Sequence, residues 1–199
     1  MPGPDVRYSR SLVQCFLTDF TREGDVVFDP FAGFGTTLQV AQDMGRQPYG
    51  LEINPARLEY ARSFLKRPDQ LIEGDAKRLA SLPLPTFNFS MSSPPYMGEG
   101  DGEDPLTDYR AEGKGYQTYL NDLTAIYEQV GRRMLGGGTL VIEVSNLKLR
   151  GRLTTLAWNI ARSVSQVLSF QGEVVIAWED GYGYGYDHSY CLTFIAFPE

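Results

Sequence analysis

Histidine, cysteine and long apolar runs are scarce in this sequence. Its 199 residues include one His and two Cys. Cys15 and Cys191 are far apart and belong to no CxxC pattern, so we expect buried thiols in a reducing compartment, with neither a metal site nor a disulfide. No apolar run approaches the roughly 18 residues that a bilayer span needs. The opening residues, MPGPDVRYSRSL, lack a secretory pattern, so we expect a cytoplasmic protein without a membrane segment.

A surplus of basic residues is also lacking. The formal net charge is -7, which disfavours a nucleic-acid partner because phosphate contacts usually come from Lys and Arg. The acidity is local, however, since the segment EGDGEDPLTDYRAE, residues 99–112, holds six acids and one Arg. The rest of the chain is close to neutral, so the composition alone does not exclude nucleic acid.

Short apolar runs alternate with longer amphipathic stretches, without an internal repeat or a linker, so we expect a single domain over residues 1–199. Repeated strand-helix units predict right-handed crossovers, and hence a doubly wound α/β fold with a mostly parallel seven-stranded sheet. The expected strands are 25–29, 48–53, 70–73, 87–91, 139–144, 172–178 and 190–197. The expected helices run from 36 or 37 to 44, from 55 to 65, from 119 to 134 with an end at the glycines 136–138, and over 153–168.

The last two expected strands have no helix between them. Their connection, GYGYGYDHS, is too short for a parallel crossover, which predicts an antiparallel strand at the C-terminal side of the sheet. Ligands of such folds bind at the carboxyl ends of the strands. The segments that follow the strands are therefore the first candidates for function.

A glycine loop, DPFAGFGTT (29–37), follows the first strand. Gly33 and Gly35 let backbone pass close to a ligand, and the next helix presents unpaired N–H groups to a carboxylate or phosphate. A dinucleotide-binding loop would need a third glycine where Leu38 stands, so a nicotinamide or flavin site is disfavoured. A P-loop is excluded because no GK[ST] follows. Glu52 ends the second strand, where an acid binds the hydroxyls of an adenosine ribose. The alternative is a turn that only packs a helix, beside a solvated Glu52.

A proline pair in the sequence SSPPY (92–96) follows the fourth strand. The prolines fix φ and remove two N–H donors, so the carbonyls of Ser93 and Pro94 are left unpaired by the sheet and point in set directions. With the ring of Tyr96 beside them, they form a holder for a planar amino group conjugated to a base or an amide. The alternative is a proline-rich strand exit in which Tyr96 merely packs. We favour the holder because the glycine loop lies at the same edge of the sheet.

In this order, DPFAGFGTT, the acid in GLEIN, the Asp75 of EGDA and SSPPY resemble the S-adenosylmethionine-dependent amino methyltransferases of DNA, which methylate cytosine N4 or adenine N6. YSRSLVQCFLTDFTREGDVVFDPF, YLNDLTAIYEQVGRRMLGGGTLVIEV and DHSYCLTFIAF are similar to other parts of that family, so the resemblance extends over most of the chain. It implies a Rossmann-like methyltransferase fold and S-adenosyl-L-methionine as cofactor. It is specific for amino-group chemistry and less specific for the substrate.

The resemblance also implies a mechanism. An exocyclic amino nitrogen is a poor nucleophile because its lone pair is delocalised into the ring. Hydrogen bonds to the Ser93 side chain and the Pro94 carbonyl would favour a tetrahedral nitrogen, and stacking on Tyr96 would aim it at the sulfonium methyl for direct in-line transfer. A base in a duplex would have to be flipped out first.

The same resemblance assigns the remaining site residues. The implied catalytic residues are Ser93, Pro94, Pro95 and Tyr96. The implied cofactor residues are Asp29, Phe31, Ala32, Gly33 and Gly35 for the methionine part, Glu52 for the ribose, Asp75 and Ala76 for the adenine, and Ile53 as a further contact.

Two features bear on the substrate. Neither cysteine lies in the PC motif that carbon-5 methylation requires, which disfavours that chemistry, and Ser93 stands where many adenine enzymes carry Asp or Asn, which favours cytosine N4. The alternatives are an RNA base, a protein Gln side chain, or a cofactor-binding subunit that depends on a partner.

The chain departs from the family in size. Family members usually carry an added region that reads DNA sequence, and its lack of room here points to a separate target-recognition subunit as a partner. The insertion 97–115 is acidic and is expected to be a mobile, solvated lid. The candidates for phosphate contacts are Lys148, Arg150 and Arg152, expected at the start of a helix, with plain surface as the alternative.

Two aromatic features remain. His188, the sole histidine, is favoured as a hydrogen-bonded structural residue of the closing strand over a general base. Tyr182, Tyr184 and Tyr186 alternate with glycine in the last hairpin. They form either a packing edge or a stacking platform for an unpaired base.

Overall fold

The computed structural model describes residues 8–149, 151–179 and 184–197. The helices of this part are α1 (Arg10–Phe20), α2 (Thr36–Asp43), α3 (Pro55–Arg62), α4 (Tyr116–Gly131) and α5 (Leu156–Val164). The strands are β1 (Val26–Asp29), β2 (Gln47–Glu52), β3 (Leu71–Glu73), β4 (Phe87–Ser92), β5 (Met134–Val144), β6 (Leu147–Leu149), β7 (Arg152–Thr154), β8 (Ser169–Ala177) and β9 (His188–Ile195). In the described part of the chain, no helix has the length and apolar character needed to cross a bilayer.

Seven strands form one sheet in the order β3-β2-β1-β4-β5-β9-β8. The strands from β3 to β5 run parallel, and β9 lies antiparallel between β5 and β8. The predicted doubly wound α/β fold, with its mostly parallel sheet and antiparallel C-terminal strand, is therefore confirmed. The strands β6 and β7 pair only with each other, as a small antiparallel hairpin beyond the end of β5.

Helices cover both faces of the sheet. On one face, α1 and α2 bury apolar side chains against β1, β4 and β5, and on the other face α4 and α5 form the larger core. The buried side chains of α4 recur every three or four residues, which is the spacing of one helical face, and each contributes roughly 1.5–3 kcal/mol on burial. They are Tyr119, Leu120, Leu123, Ile126, Tyr127 and Val130.

The glycines 136–138 lie inside β5, so the expected helix end at these residues is wrong. The helix α4 already ends at Gly131, because the chain returns to pair Met134 with Phe87. A Cβ on Gly138 would lie 2.8 Å from the carbonyl oxygen of Asn88, which is too close for any side chain. Gly138 therefore lets β5 approach β4 where the pairing changes register.

The residues 152–154 form β7, although the sequence pattern predicts a helix there. The helix α5 begins only at Leu156, where the side chain of Asn146 accepts a hydrogen bond of 3.0 Å from the N–H of Ala157. Because Asn146 precedes the hairpin, this bond ties the start of α5 to the end of β5 and leaves the intervening residues as a separate loop.

The two cysteines differ in exposure. Cys191 is buried in β9, and burial raises the pKa of its thiol. Cys15 is exposed, so the expectation of two buried thiols is wrong for this residue. The reason is its position in α1, whose buried face is formed by Leu12, Val13, Phe16 and Leu17.

We expect only Cys15 to react rapidly with a water-soluble disulfide reagent in the folded protein, because a thiol must be accessible and ionised to react. A colorimetric thiol titration checks this: one equivalent reacts at once, and the second reacts after unfolding in guanidinium chloride. The variant Cys15→Ser loses the fast equivalent, whereas Cys191→Ser retains it. Two fast equivalents in the native protein would contradict the burial of Cys191.

Candidate active site

A cavity of about 400 Å³ opens at the carboxyl ends of β1, β2 and β4. The glycine loop after β1, the end of β2 and the proline motif after β4 all contribute to its wall. The predicted cofactor and catalytic residues line this cavity, except for Asp29 and Gly35. The fold thus brings the two motifs, which are far apart in the sequence, into one site.

The two loop glycines serve different purposes. Both have positive φ angles, 54° at Gly33 and 82° at Gly35, which glycine adopts without strain. A Cβ on Gly35 would lie 3.0 Å from the Cβ of Ala61 and 3.1 Å from the ring of Phe64. Gly35 is therefore required for packing against the region of α3, and Gly33 is the glycine that faces the cavity.

Glu52 is a buried carboxylate that joins two loops. Its Oε2 accepts a hydrogen bond of 2.7 Å from the N–H of Gly33, and its Oε1 accepts one of 2.7 Å from the N–H of Asn54. Its side chain is only 5% exposed, and burial is the main reason that its pKa is raised. The alternative of a solvated Glu52 is therefore wrong. An ionised carboxylate offers about four acceptor positions, so capacity remains for a ligand on the cavity side.

Asp29 lies beneath the cavity wall and is 1% exposed. Its Oδ1 accepts the N–H of Phe31 at 2.9 Å, and the hydroxyl of Tyr8 donates to its Oδ2 at 3.4 Å. Burial raises the pKa of Asp29 to about 7. The Tyr8 hydroxyl also contacts Thr37 Oγ1.

Tyr8 is a site residue that the motifs do not predict, and it lines the cavity. It belongs to the helix-leading segment YSRSLVQCF, which precedes the glycine loop by some distance along the chain. Its only signal in the sequence is the resemblance of that segment to the corresponding part of the family.

Two tyrosine side chains of α4 form hydrogen bonds with the proline motif. The hydroxyl of Tyr119 donates a hydrogen bond of 3.0 Å to the carbonyl of Pro95. The hydroxyls of Tyr127 and Ser92 share another of 3.0 Å in the buried core. Because both tyrosines are fully buried, the loop is fixed to the helix at two points. Ser93 and Pro94 line the cavity.

Tyr96 is fixed by its hydroxyl and covered by a second ring. The N–H of Ser145, at the end of β5, donates a hydrogen bond of 3.0 Å to the Tyr96 hydroxyl. The ring of Tyr184 lies 5.1 Å from that of Tyr96, with 48° between the planes. Tyr184 has a positive φ of 52° and also lines the cavity. Tyr96 therefore does more than pack, because its ring forms part of the cavity wall.

The acidic insertion covers the cofactor side of the cavity. Asp108 accepts a hydrogen bond of 2.7 Å from the Asn54 side chain and forms an ion pair of 3.1 Å with Arg57, which in turn lies 3.9 Å from Glu52. Pro105 and Leu106 are buried and line the cavity. The expectation of a solvated lid is therefore wrong for this part of the insertion, because ion pairs and two buried side chains attach it to the end of β2. Tyr109, next in the chain, lines the cavity as well.

The predicted phosphate contacts lie on the β6–β7 hairpin and not at a helix start. Lys148 belongs to β6 and Arg152 to β7, and both are exposed. Arg150 lies outside the described residues. The hairpin follows β5 at the same edge of the sheet as the cavity.

His188 has the hydrogen bonds of a structural residue, as predicted. Its Nδ1 lies 2.8 Å from the carboxylate of Asp187 and its Nε2 lies 3.0 Å from the hydroxyl of Tyr190. Of the alternating tyrosines, Tyr186 packs edge-on against His188, Tyr184 reaches the cavity, and Tyr182 lies outside the described residues. Packing is therefore shown for Tyr186, and stacking of a base on Tyr184 stays a prediction.

Comparison with known proteins supports the family over part of the chain. Residues 6–63 match the DNA methylase family. We call these residues, which resemble that family, the methylase segment. The type II methyltransferase M.BglII of Bacillus subtilis is 34% identical over 65 residues, which are 32% of this chain and 18% of that protein. M.BamHI of Bacillus amyloliquefaciens is 40% identical over 62 residues, which are 31% of this chain and 14% of that protein. The chain therefore aligns with less than a fifth of either relative. The methylase segment contains the glycine loop and Glu52 and ends before the proline motif.

Solved methyltransferase structures share the fold over almost the whole chain. TrmN from Thermus thermophilus superposes with a TM-score of 0.64 at 17% identity, covering 96% of this chain and 49% of that one. An rRNA methylase from Streptococcus thermophilus gives a TM-score of 0.63 at 11% identity, covering 98% of this chain and 100% of that one. At these identities the likeness shows the fold, which is the Rossmann-like methyltransferase fold.

Replacing Asp29 with Asn tests the buried carboxylate of this methyltransferase fold. An unfolded Asp ionises near a pH of about 4, whereas the folded protein holds Asp29 protonated up to about pH 7. The stability of the wild type therefore falls as the pH rises from about 4 to about 7, and then levels off for this group. We expect the free energy of unfolding of Asp29→Asn to rise relative to that of the wild type as the pH increases across that range.

Urea unfolding at pH 5, 7 and 8.5 measures this difference. Asp19→Asn, at an exposed position of α1, is the control for an ordinary carboxylate. A difference between wild type and Asp29→Asn that stays constant with pH would contradict the raised pKa.

Proposed function

We propose that this chain is an S-adenosylmethionine-dependent methyltransferase that acts on the exocyclic amino group of a base in DNA. The observation that carries the proposal is the shared cavity, in which Gly33 and Glu52 stand on one side and the residues Ser93–Tyr96 on the other. The residues proposed for cofactor binding and those proposed to hold the amino group thus line one volume suited to a small ligand, which supports the proposal. The DNA methylase match of the N-terminal segment supports DNA as the substrate class.

The methylase segment and the methyltransferase fold imply S-adenosylmethionine as the methyl donor. The residues present fit it: Glu52 retains acceptor capacity for the ribose hydroxyls, and Ile53, Ala76 and Leu106 offer apolar contacts for the adenine. Above pH 7 the buried Asp29 carboxylate adds negative charge beneath the wall where the cationic methionine end belongs. When bound, this cofactor supplies an electrophilic methyl group on its sulfonium.

The proline motif orients the amino group of the base. The Ser93 side chain and the Pro94 carbonyl would accept hydrogen bonds from the two N–H groups of this amino group. These bonds would favour a tetrahedral nitrogen, whose lone pair is less delocalised into the ring and is therefore available for in-line attack on the methyl carbon. The bound cofactor would give up its methyl group and retain the electron pair of the broken sulfur–carbon bond, and the amino group would release one proton to solvent. The Tyr96 ring limits the tilt of the base, and Tyr184 supplies a second aromatic surface beside it.

Cytosine N4 is our preferred target over adenine N6. The reason is Ser93, which stands at the motif position where many adenine enzymes carry Asp or Asn. A serine hydroxyl accepts a hydrogen bond without adding a negative charge next to the base.

The test is mass spectrometry of nucleosides after the protein has been incubated with cofactor and nucleic acid. N4-methyl-2′-deoxycytidine in the DNA arm supports the proposal in full, and N6-methyl-2′-deoxyadenosine supports the DNA chemistry and overturns the base preference. Parallel reactions contain RNA or protein in place of DNA, together with cofactor that carries a tritiated methyl group. Tritium that is incorporated into RNA or protein but not into DNA would overturn DNA as the substrate.

The variant pair Tyr96→Ala and Tyr96→Phe separates the ring from the hydroxyl. We expect Tyr96→Ala to bind the cofactor normally and to lose methylation by about 100-fold or more, because the base is no longer aimed. Tyr96→Phe keeps the ring and loses only the hydrogen bond with Ser145, so it should retain most activity. Isothermal titration and methyl incorporation measure the two properties. Lost cofactor affinity with normal turnover in Tyr96→Ala would contradict this role.

Tyr119 is expected to be a positioning residue for the proline motif. Tyr119→Phe removes the hydrogen bond to the Pro95 carbonyl, and we expect kcat to fall about tenfold with little change in KM for DNA or in cofactor affinity. Tyr116→Phe is the matched control, because Tyr116 lies one turn earlier in α4 and its hydroxyl bonds to Asn159 instead. Equal effects of the two variants on kcat would contradict a specific role of Tyr119.

A further inference from the structure

The acidic insertion and the β6–β7 hairpin both border the mouth of the cavity. The insertion leaves the end of β4, where Glu99 and Gly100 lie against the hairpin, and it reaches the end of β2, where Asp108 contacts Asn54 and Arg57. The hairpin leaves the end of β5, on the other side of β4 in the sheet. Its Lys148 therefore lies on the substrate half, whereas the guanidinium of Arg152 lies against Gly100 of the insertion.

The hairpin presents one face to the protein and one to solvent. Leu147 pairs with Thr154, and both are buried. Lys148 pairs with Leu153, and both are exposed, with Leu153 at 57%. Lys148 and Leu153 therefore share the face of the hairpin that is turned to solvent, whereas Arg152, which pairs with Leu149, alternates onto the same face as Thr154.

The inner face of the hairpin rests on the walls of the cavity. The N–H of Lys148 donates a hydrogen bond of 2.7 Å to the carbonyl of Tyr184, whose ring lies beside Tyr96. On the other strand, the Thr154 hydroxyl accepts one of 3.0 Å from the N–H of Glu99, which follows the proline motif closely. The outer face of the hairpin is thereby held next to the point where a base enters.

We propose that the β6–β7 hairpin engages duplex DNA around the target base, with Lys148 on a phosphate and Leu153 as the wedge that fills the gap left by the flipped base. This inference rests on the proposed function. A two-stranded ribbon fits the major groove, and apolar side chains of DNA-bending proteins insert between base steps and unstack them. The opposite charges of ribbon and backbone, and the continuity of the ribbon with the base pocket, favour DNA as the occupant of this face.

The same geometry explains how an acidic chain contacts DNA. The duplex approaches over the outer face of the hairpin, and Asp104 and Asp108 of the insertion are neutralised by ion pairs with Lys77 and Arg57.

The phosphate part of the inference is tested with Lys148→Gln. Its control is Lys66→Gln, which removes an exposed cation that follows α3 at the opposite edge of the sheet. Fluorescence anisotropy with a labelled duplex is measured from 50 to 200 mM salt. We expect the hairpin variant to bind about threefold more weakly and to lower the slope of log affinity against log salt by about 1. The control variant should match the wild type in both.

The wedge part is tested with Leu153→Ser, and Leu135→Ser is the control at another leucine of high exposure, at the amino end of β5. We expect Leu153→Ser to methylate a matched duplex about tenfold more slowly than wild type, because nothing then fills the gap. A duplex in which the target base is mismatched should restore the rate, since that base is already unpaired. Leu135→Ser should behave as wild type on both duplexes.

The outcomes separate the inference from the proposed function. Absence of DNA methylation by the wild type in the nucleoside assay overturns the proposed function, and the hairpin inference with it. Wild-type methylation with unchanged duplex affinity in the hairpin variant overturns the phosphate contact. A Leu153→Ser defect of equal size on matched and mismatched duplexes overturns the wedge. Cofactor affinity by isothermal titration, unchanged in every variant, shows that the fold is intact.

Discussion

The carboxylate of Glu52 joins the segments that form the cofactor end of the cavity. It accepts the N–H of Gly33 from the loop after β1 and the N–H of Asn54 from the loop after β2, and it lies beside Arg57, which is held by the acidic insertion through Asp108. Each of these groups would be hard to bury alone, because an unpaired donor or charge in a protein interior is costly. Together they satisfy one another, so the site is preformed.

The charge distribution reconciles an acidic composition with the proposed substrate. Two acids of the insertion are paired with cations of the domain, Asp104 with Lys77 at 3.4 Å and Asp108 with Arg57 at 3.1 Å. The insertion is therefore attached to the cofactor side by its own charges. Net charge averages over the molecule, whereas a polyanion senses the potential within about a Debye length of where it docks. For that reason the position of the hairpin matters more than the sum of charges.

The proposed catalytic loop and the proposed cofactor loop are supported by different parts of the fold. The proline motif is fixed to α4 through Tyr119 and Tyr127, and to β5 through the bond between Tyr96 and Ser145. The cofactor loop instead surrounds Asp29, a buried carboxylate whose pKa is raised to about 7 and whose ionised form opposes folding. A buried carboxylate of this kind lowers the stability of the fold and is retained where the function of the site needs its charge.

The sequence by itself determined the sheet, the order of its elements and the two loops of the site. It did so because local patterns, such as apolar alternation, a glycine loop after a strand and a proline pair, act through backbone geometry, and because parallel strands place their carboxyl ends at one edge. Only the tertiary structure decided that Tyr8, Tyr109 and Tyr184 reach the cavity, and that residues 147–154 leave the sheet as a hairpin. These features depend on contacts between residues distant in the chain, such as Asn146 at the start of α5, and no local pattern specifies which distant partner a side chain meets.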